Sequence, residues 1–411
     1  MQPMKIAFFV NDFPSYTQMF ILNQITGLAD LGYHVDIFAK RLIDLPKPNA
    51  KVRDYDLLKR VYLFPMMPKG WIKRFITLIG LIIKYRAWRR AKILLNCLNF
   101  YKFGKDALSL RLIYNALPFF CHWQYDIIHC QFGMLGPLAS DLLQAKVISG
   151  KLVTSFRGYD TLQYIKKFPN IYDELFKIGS LFLPVSQSFK KWLVDQGCPP
   201  ESVHVLYSGI ELNHFEFNEK HLHPQKNVML VSIGRLVEKK GIRFAIIALS
   251  QLIEKGYQVK YTIIGYGPLE EELKALSERL GVKHLVNFTG WLSHEETIRY
   301  LNQCHIMLTP SITSKNGDKE GIPNVLKEAM ALGLPVVSTL HSGIPELIKN
   351  KESGFLIAEG DANALADRIA FLIDHPDTWR KFSRNGRKVI ERNYDSIKLN
   401  KKLLTYYSRL L

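Results

Sequence analysis

Four residues in the second half of the chain have types and spacing suited to binding a charged, hydroxyl-rich molecule: Arg235, Lys240, Glu320 and Glu328. The two glutamates belong to the passage Gly317-Asp318-Lys319-Glu320-Gly321-Ile322-Pro323-Asn324-Val325-Leu326-Lys327-Glu328-Ala329-Met330. Pro323 suits the first position of a helix that Gly333 closes, with Pro335 beyond it. The unpaired N–H groups at such a helix start, near Ile322–Val325, suit an anion or sugar hydroxyls. Glu328 then falls a little over one turn into the helix, and Glu320 in the loop before it. One carboxylate can accept hydrogen bonds from a vicinal diol such as a ribose, the other from the hydroxyls of a sugar. Either glutamate on its own also reads as an ordinary surface residue.

The run Gly234-Arg235-Leu236-Val237-Glu238-Lys239-Lys240-Gly241 follows the apolar stretch Val228–Ile233. Arg235 can fork onto a pyrophosphate and Lys240 can add a compact positive charge. Together they suit a diphosphate that must be held and neutralised as it leaves. In the first half, Arg157-Gly158-Tyr159-Asp160 follows the strand-like Lys151–Phe156, where a ligand can be met. Arg157 suits a phosphate or a sugar there, and Asp160 either orients a hydroxyl or caps the next helix. His129 ends the apolar run Ile127–His129 and reads as a ligand-facing residue or as a satisfied core histidine.

These residues need a frame, and the chain supplies an alternation of short apolar runs with helical stretches, the pattern of parallel sheets covered by helices. Lys5–Val10, Val35–Ala39, Asp126–Cys130, Lys151–Phe156, Leu181–Val185 and Val203–Leu206 are strand-like; Phe20–Leu31 and Leu138–Ala145 are helical. A second series follows from Val228–Ile233, with strands at Val259–Ile264, Val286–Phe288, Ile306–Leu308 and Pro335–Ser338. Between these lie helices over Ile242–Lys255, Leu269–Leu280, Glu295–Asn302 and Pro323–Leu332. The fold expected is α/β, with two doubly wound lobes. The first spans 1–207; a polar stretch, 208–227, links it to the second at 228–394; and a closing helix covers 395–411. Ligands of such sheets bind beyond the carboxyl ends of the strands.

A length of 411 residues fits two domains, and 47% hydrophobic with 22% charged residues is an ordinary globular balance. Five cysteines with no CxxC pair fit reduced thiols in the cytoplasm, and the N-terminus lacks a signal-peptide pattern. The net charge of +18 is uneven: every charged residue between Asp56 and Asp106 is a lysine or arginine. Trp71, Phe75, Ile76, Ile79, Tyr85 and Trp88 are interleaved with them. The apolar run Phe75–Ile83 is far short of the roughly 20 residues that span a bilayer. Residues 59–105 therefore read as lying on an anionic membrane surface, the alternative being helices packed on their own lobe with solvated lysines. No nucleic-acid motif accompanies the charge, so no nucleic-acid partner is expected. Asp54-Tyr55-Asp56 is a DxD, but no strand presents it, and the histidines His214, His221 and His223 are irregularly spaced, so no metal site is expected. The absence of a Walker loop and of GxGxxG leaves ATP hydrolysis and hydride transfer unsupported.

The segments GRLVEKKG, IIGYGPLEEEL, FTGWLSHEE, EGIPNVLKEAMALGLPVVST and SGIPELI resemble the second-lobe motifs of family-4 retaining glycosyltransferases, and Glu320 and Glu328 match that family's E-x7-E pattern. GDKEGIP together with SFRGYD is similar to the branch that assembles colanic acid and other exopolysaccharides. The resemblance implies the GT-B fold, two facing Rossmann-like domains with a cleft between them, the last helix returning to the first. It implies that Arg235 and Lys240 hold the donor diphosphate beside Gly234 and act in catalysis with Glu320. Glu328 would bind the ribose, and Glu320 with the backbone of Gly321, Ile322, Pro323 and Asn324 the donor sugar. Gly265 and Gly267 would let the backbone approach the nucleotide, and Trp291 and Leu292 would lie along the base.

Relatives often carry a histidine where Arg157 stands, and Ser-Glu-Thr-Phe where this chain has Thr17-Gln18-Met19-Phe20. Thr17, His129, Arg157, Gly158 and Asp160 are the acceptor-side candidates. The expected reaction is metal-independent and retaining, from a nucleotide sugar, with UDP favoured, to a polyprenyl-diphosphate-linked glycan at the inner face of the membrane. No cofactor is expected. The alternatives are a nucleotide-sugar epimerase of the same architecture and a non-catalytic subunit of a polysaccharide-assembly complex.

Overall fold

Runs such as Ile6–Val10, apolar and buried at every position, form strands covered on both faces, as parallel sheets require. The computed structural model describes residues 4–15, 18–44, 50–122, 124–158, 162–220 and 227–411. The chain divides into two compact units. One comprises Met1–Pro184, Lys190–Leu206 and Asn400–Leu411; the other comprises Val185–Phe189 and Tyr207–Leu399.

In the first unit the strands are β1 (Lys5–Phe13), β2 (His34–Leu42), β3 (Val61–Leu63), β4 (Gln124–Cys130), β5 (Ser149–Phe156) and β6 (Leu181–Pro184). Among the described residues they form one parallel sheet in the order β3-β2-β1-β4-β5-β6. Val203–Leu206, expected as a strand, contributes only the isolated bridge Phe182↔Val203. The three-residue β3 is too short to show an alternation in sequence.

The second unit repeats the plan. Its strands are β7 (Val228–Ile233), β8 (Val259–Ile264), β9 (Val286–Gly290), β10 (Ile306–Thr309), β11 (Val336–Thr339) and β12 (Phe355–Ile357), ordered β12-β11-β10-β7-β8-β9 and parallel. Both orders reverse direction beside their first strand, between β1 and β4 and between β7 and β10, which is the doubly wound topology expected. In such sheets the reversal leaves a crevice at the carboxyl ends, where the loops after β7 and β10 begin.

The stretch expected as a linker is built into the second unit over its described part. Ile210 bridges Asp395, Ile210 and Phe215 are buried, and the Asn218 N–H donates to Leu332 O at 3.2 Å. Two apolar anchors in an otherwise polar run suffice to hold it; His221 and His223 lie outside the described residues.

The basic stretch folds as helices Trp71–Lys84, Ala91–Cys97 and Phe100–Leu108. Leu78, Ala87, Cys97 and Phe103 turn inward to the first unit's core. Trp71, Ile72, Phe75, Ile76, Ile79 and Ile83 recur at helical spacing and stay exposed. Among the described residues no helix is long and apolar enough to cross a membrane. The carboxylates of the DxD are separately engaged, Asp54 with Arg53 at 3.1 Å and Asp56 with Lys59 at 2.8 Å.

Candidate functional site

The loops that leave β7, β8 and β9 are stitched together by their backbones. The Gly234 N–H donates to Ile264 O at 2.9 Å, Leu236 N–H to Tyr266 O at 3.0 Å, and Gly265 N–H to Gly290 O at 2.8 Å. Gly265 has φ +133°, and a Cβ there would collide with the carbonyl oxygen of Gly234. Only glycine serves at that position, because the two chains approach without room for a side chain. Gly267 follows in the same loop, and Trp291 and Leu292 directly succeed Gly290, so they border it. Trp291 is 55% exposed, while Leu292 packs partly into the core.

From this edge the chain makes a short 3₁₀ turn, Glu238–Lys240, ended by Gly241 in the left-handed region. The turn aims both lysines at the loop after β10. Lys240 Nζ lies 3.2 Å from Glu320 Oε1; Lys239 Nζ lies 3.5 Å from the same oxygen and 3.1 Å from Asp318 Oδ2. Burial pushes the Glu320 carboxyl up, but the charges of Lys240 and Lys239, the Lys240 hydrogen bond and His341 outweigh it and hold the carboxyl below its ordinary range. Glu320 is thus a nearly buried anion. Arg235 is exposed, and its side chain makes no ion pair with another described residue.

Beyond Glu320 the loop enters the helix Asn324–Ala331. Pro323 was expected as the first helical residue; instead it is the cap, with φ −60° and extended ψ 130°. Its ring presets φ, but its ψ leaves it half outside the helix, so the orphan N–H groups begin at Asn324. Ile322 is buried and anchors the loop. Glu328 lies within the helix, its side chain 14% exposed, with Oε1 3.8 Å from His294 Nε2. The Glu328 carboxylate raises the His294 imidazole above its ordinary value; burial opposes the rise, and the charges of Glu211 and Glu295 support it. The helix carrying His294 is fixed by a capping box, in which Ser293 Oγ accepts from Glu296 N–H and the Glu296 carboxylate accepts from Ser293 N–H.

Arg235, Lys240, Glu320, Glu328 and the glycines therefore stand on loops and one helix at the carboxyl ends of β7, β8 and β10. Sequence reasoning missed Lys239, His294 and His341. Lys239 adjoins Lys240, and a 3₁₀ turn was needed to point both at one carboxylate. His294 lies inside FTGWLSHEE and was legible only as part of that motif.

In the first unit, Arg157 follows β5. Its Nε donates to Gln131 O at 3.2 Å and its Nη2 to Gln131 Oε1 at 3.0 Å, and the guanidinium lies 4.4 Å from the Phe20 ring centre. Gly158 follows with φ +145°. Thr17 and Asp160 lie outside the described residues. His129 departs from the ligand-facing expectation. It is fully buried, with Nδ1 2.6 Å from Tyr407 Oη and Nε2 2.8 Å from Ser155 Oγ. Burial, aided by the Arg157 charge, drives its imidazole well below the ordinary value, so it is a neutral core histidine. A residue near the end of a central strand points into the core as readily as out of it, and periodicity does not separate the two.

Comparison with known proteins gives the same outline. The sequence matches the family models described as Glycosyltransferase Family 4 over residues 17–214 and Glycosyl transferases group 1 over residues 213–389. It is 34% identical over 409 residues to the putative colanic acid biosynthesis glycosyltransferase WcaL of Salmonella typhimurium, covering 97% of this chain and 98% of that one. It is 38% identical over 374 residues to the amylovoran biosynthesis glycosyltransferase AmsK of Erwinia amylovora, covering 88% and 89%. A more distant relative, 27% identical over 56% of this chain and 61% of its own, is the N-acetylgalactosamine-N,N'-diacetylbacillosaminyl-diphospho-undecaprenol 4-alpha-N-acetylgalactosaminyltransferase of Campylobacter jejuni. Among solved structures, Anabaena Alr3699/HepE in complex with UDP and glucose superposes with a TM-score of 0.71 at 18% identity, covering 99% of this chain and all of that one.

Proposed function

Because this chain belongs to the family-4 glycosyltransferases of exopolysaccharide biosynthesis, which have the GT-B fold, we propose that it transfers a sugar from a nucleotide sugar to a lipid-linked glycan with retention of configuration. The observation that carries the donor half is the charged cluster at the carboxyl edge of the second sheet. Lys240 and Glu320 pair at 3.2 Å, with Glu328 one turn into the helix that follows. Arg235, exposed and without an ion-pair partner among the described residues, is the cation left to grip a diphosphate. The solved HepE structure with UDP and glucose supports a UDP sugar as donor.

In this reading Glu328 accepts from the ribose diol and Glu320 from hydroxyls of the donor sugar. The acceptor hydroxyl oxygen attacks the anomeric carbon on the face from which the diphosphate leaves. The bond from that carbon to the phosphate oxygen breaks, and the hydroxyl proton passes to the departing phosphate. Arg235 and Lys240 neutralise the leaving charge, work that a metal ion does in other transferases, so the reaction is metal-independent. Catalysis is then positioning and electrostatics. Arg157, held at the end of β5, is the first-unit candidate for meeting the acceptor or the donor.

The exposed apolar face of Trp71–Lys84, rimmed by Lys73, Lys84, Arg86 and Arg89, supports docking on an anionic membrane surface. Such docking fits an acceptor on a polyprenyl diphosphate, and the Campylobacter relative is named for a diphospho-undecaprenol substrate. The protein would then work at the inner membrane face without spanning it.

The test is a thermal-shift series with UDP, GDP, ADP and their common sugars, run on the wild type and on Glu328→Ala. Stabilisation by one nucleotide family that the variant loses supports the donor site and names the base. No stabilisation by any of them overturns the reading. Flotation with phosphatidylglycerol vesicles, comparing wild type with Trp71→Ser/Phe75→Ser/Ile76→Ser, tests the docking; equal flotation refutes it.

A further inference from the structure

Glu320 is held through its peptide group as well as its carboxylate. Its backbone N–H donates to His341 Nε2 at 3.0 Å, and His341 Nδ1 lies 2.6 Å from Glu359 Oε1. A peptide N–H can only donate, so Nε2 presents its lone pair and Nδ1 carries the proton, which it donates to Glu359. The imidazole is fully buried. The other Glu359 oxygen accepts the Thr313 N–H at 2.7 Å. Burial raises the Glu359 carboxyl, but the Thr313 N–H and His341 hold it below its ordinary range, so it stays an acceptor.

The loops after β10, β11 and β12 are thereby joined in one line, from Thr313 and Glu359 through His341 to Glu320. The His341 turn touches the same loop a second time. A Cβ on Gly343 would stand 2.8 Å from Ile322 Cγ1 and 3.3 Å from Gly321 O, so backbone and loop meet without a side chain between them. Nothing in the roles proposed for the donor residues uses His341 or Glu359.

We propose that His341 and Glu359 are positioning residues. In one fixed tautomer, His341 sets the height and tilt of the Glu320–Ile322 peptides, and with them the aim of the groups that meet the donor sugar. This rests on reading Glu320 as a donor-sugar ligand. The nucleotide is gripped elsewhere in that reading, at Arg235 and Glu328. Losing the pair should therefore act on turnover and leave the affinity for the bare nucleotide intact. A misplacement of about 1 Å in such a contact costs up to ~100-fold in rate.

The experiment measures, in wild type, His341→Leu, His341→Gln, Glu359→Gln and Glu320→Gln, the affinity for UDP and GDP and the rate of acceptor-independent hydrolysis of UDP-glucose and GDP-mannose. Melting curves establish which variants fold. The expected result for His341→Leu is a fall in kcat of roughly 10–100-fold, with bare-nucleotide affinity changed by less than about threefold. His341→Gln should recover part of the rate, because its amide oxygen can accept the Glu320 N–H. Glu359→Gln should lose rate, since its amide NH₂ must face either Thr313 N–H or His341 Nδ1–H.

A folded His341→Leu with wild-type kcat overturns the proposal, as does an equal loss of kcat and nucleotide affinity, or failure of Gln to rescue. If Glu320→Gln is inactive while His341→Leu is not, only this inference fails. If Glu320→Gln is fully active, or the wild type binds and hydrolyses none of the probes, the donor-site reading fails and carries this one with it.

Discussion

Lys240 and Glu320 sit 80 positions apart in the chain, yet their charged atoms lie 3.2 Å apart with both side chains largely shielded from water. Lys239 backs the same carboxylate from 3.5 Å. A shielded anion with two cations beside it keeps its charge, and its environment changes when a diphosphate arrives to compete for Lys240.

The first prediction concerns that pair. Lys240→Met leaves Glu320 with one cation and should lower both donor turnover and stability. The Glu320 carboxyl is held below the ordinary 4.5, so the stabilisation is present above that pH and is lost as the pH falls through the folded-state value. The difference in Tm between wild type and Lys240→Met should therefore be largest near neutrality and shrink below about pH 4.5. Melting curves between pH 7 and pH 4 check it; a difference that widens on acidification would contradict the pairing.

Arg235 offers the opposite case, an exposed cation whose removal should leave folding unaffected. Arg235→Ala should change the unfolding free energy by no more than the ~0.5 kcal/mol usual for surface substitutions. Nucleotide-sugar turnover should nevertheless fall about 100-fold or more, the scale of losing one charge-stabilising group. Arg235→Lys should recover little of it, because an ammonium cannot reproduce the two-pronged grip. Steady-state kinetics on all three proteins decide this.

His294 and Glu328 yield a pH signature of the other sign. Glu328 holds the imidazole above the 6.5 of a free histidine. The stabilisation is fully present below pH 6.5 and disappears as the pH rises through the higher folded value. His294→Gln should therefore be less stable than wild type at pH 6 and close to it at pH 8.5. A Tm gap that does not change with pH would show that the ion pair is not formed in solution.

At Gly265 the expectation is steric. With φ +133° and the Gly234 carbonyl in the way of a Cβ, Gly265→Ala must push two loops apart. Strain of this kind costs about 1–3 kcal/mol. Nucleotide affinity should fall with it, since the displaced strands' ends border Trp291 and Arg235. A variant with unchanged Tm and unchanged nucleotide binding would mean that the loops do not meet as described.

Much of this was legible beforehand because the parallel strands are continuous apolar runs and the loops after them are short. Arg235 and Lys240 fall directly behind such a run, and Glu320 and Glu328 flank a helix start that Pro323 and Gly333 mark, so punctuation in the sequence placed all four in the second lobe. What stayed hidden depends on side-chain direction or on distant partners. His129 lies one residue from the end of its strand, and only the packing of Tyr407 and Ser155 around it shows that it faces the core. His341 gives no local sign of its role, because Glu320 is 21 residues before it and Glu359 is 18 after. Pro323 misled by one position, because a residue that presets φ serves a cap as well as a first turn.

The bond between His129 and Tyr407 ties the middle of the first sheet to the fifth residue from the end of the chain. Asn400 reinforces it, donating to Asn23 O at 3.3 Å, and Leu403 and Tyr407 are fully buried. Domains emerging from a ribosome ordinarily fold in order, the N-terminal one first. Here the core of the first unit is completed only by the helix that carries Leu403 and Tyr407, which is made after the second unit. During synthesis it must wait, incomplete, while the second unit is made, and a nascent chain stalled short of Tyr407 would carry an unfinished first domain.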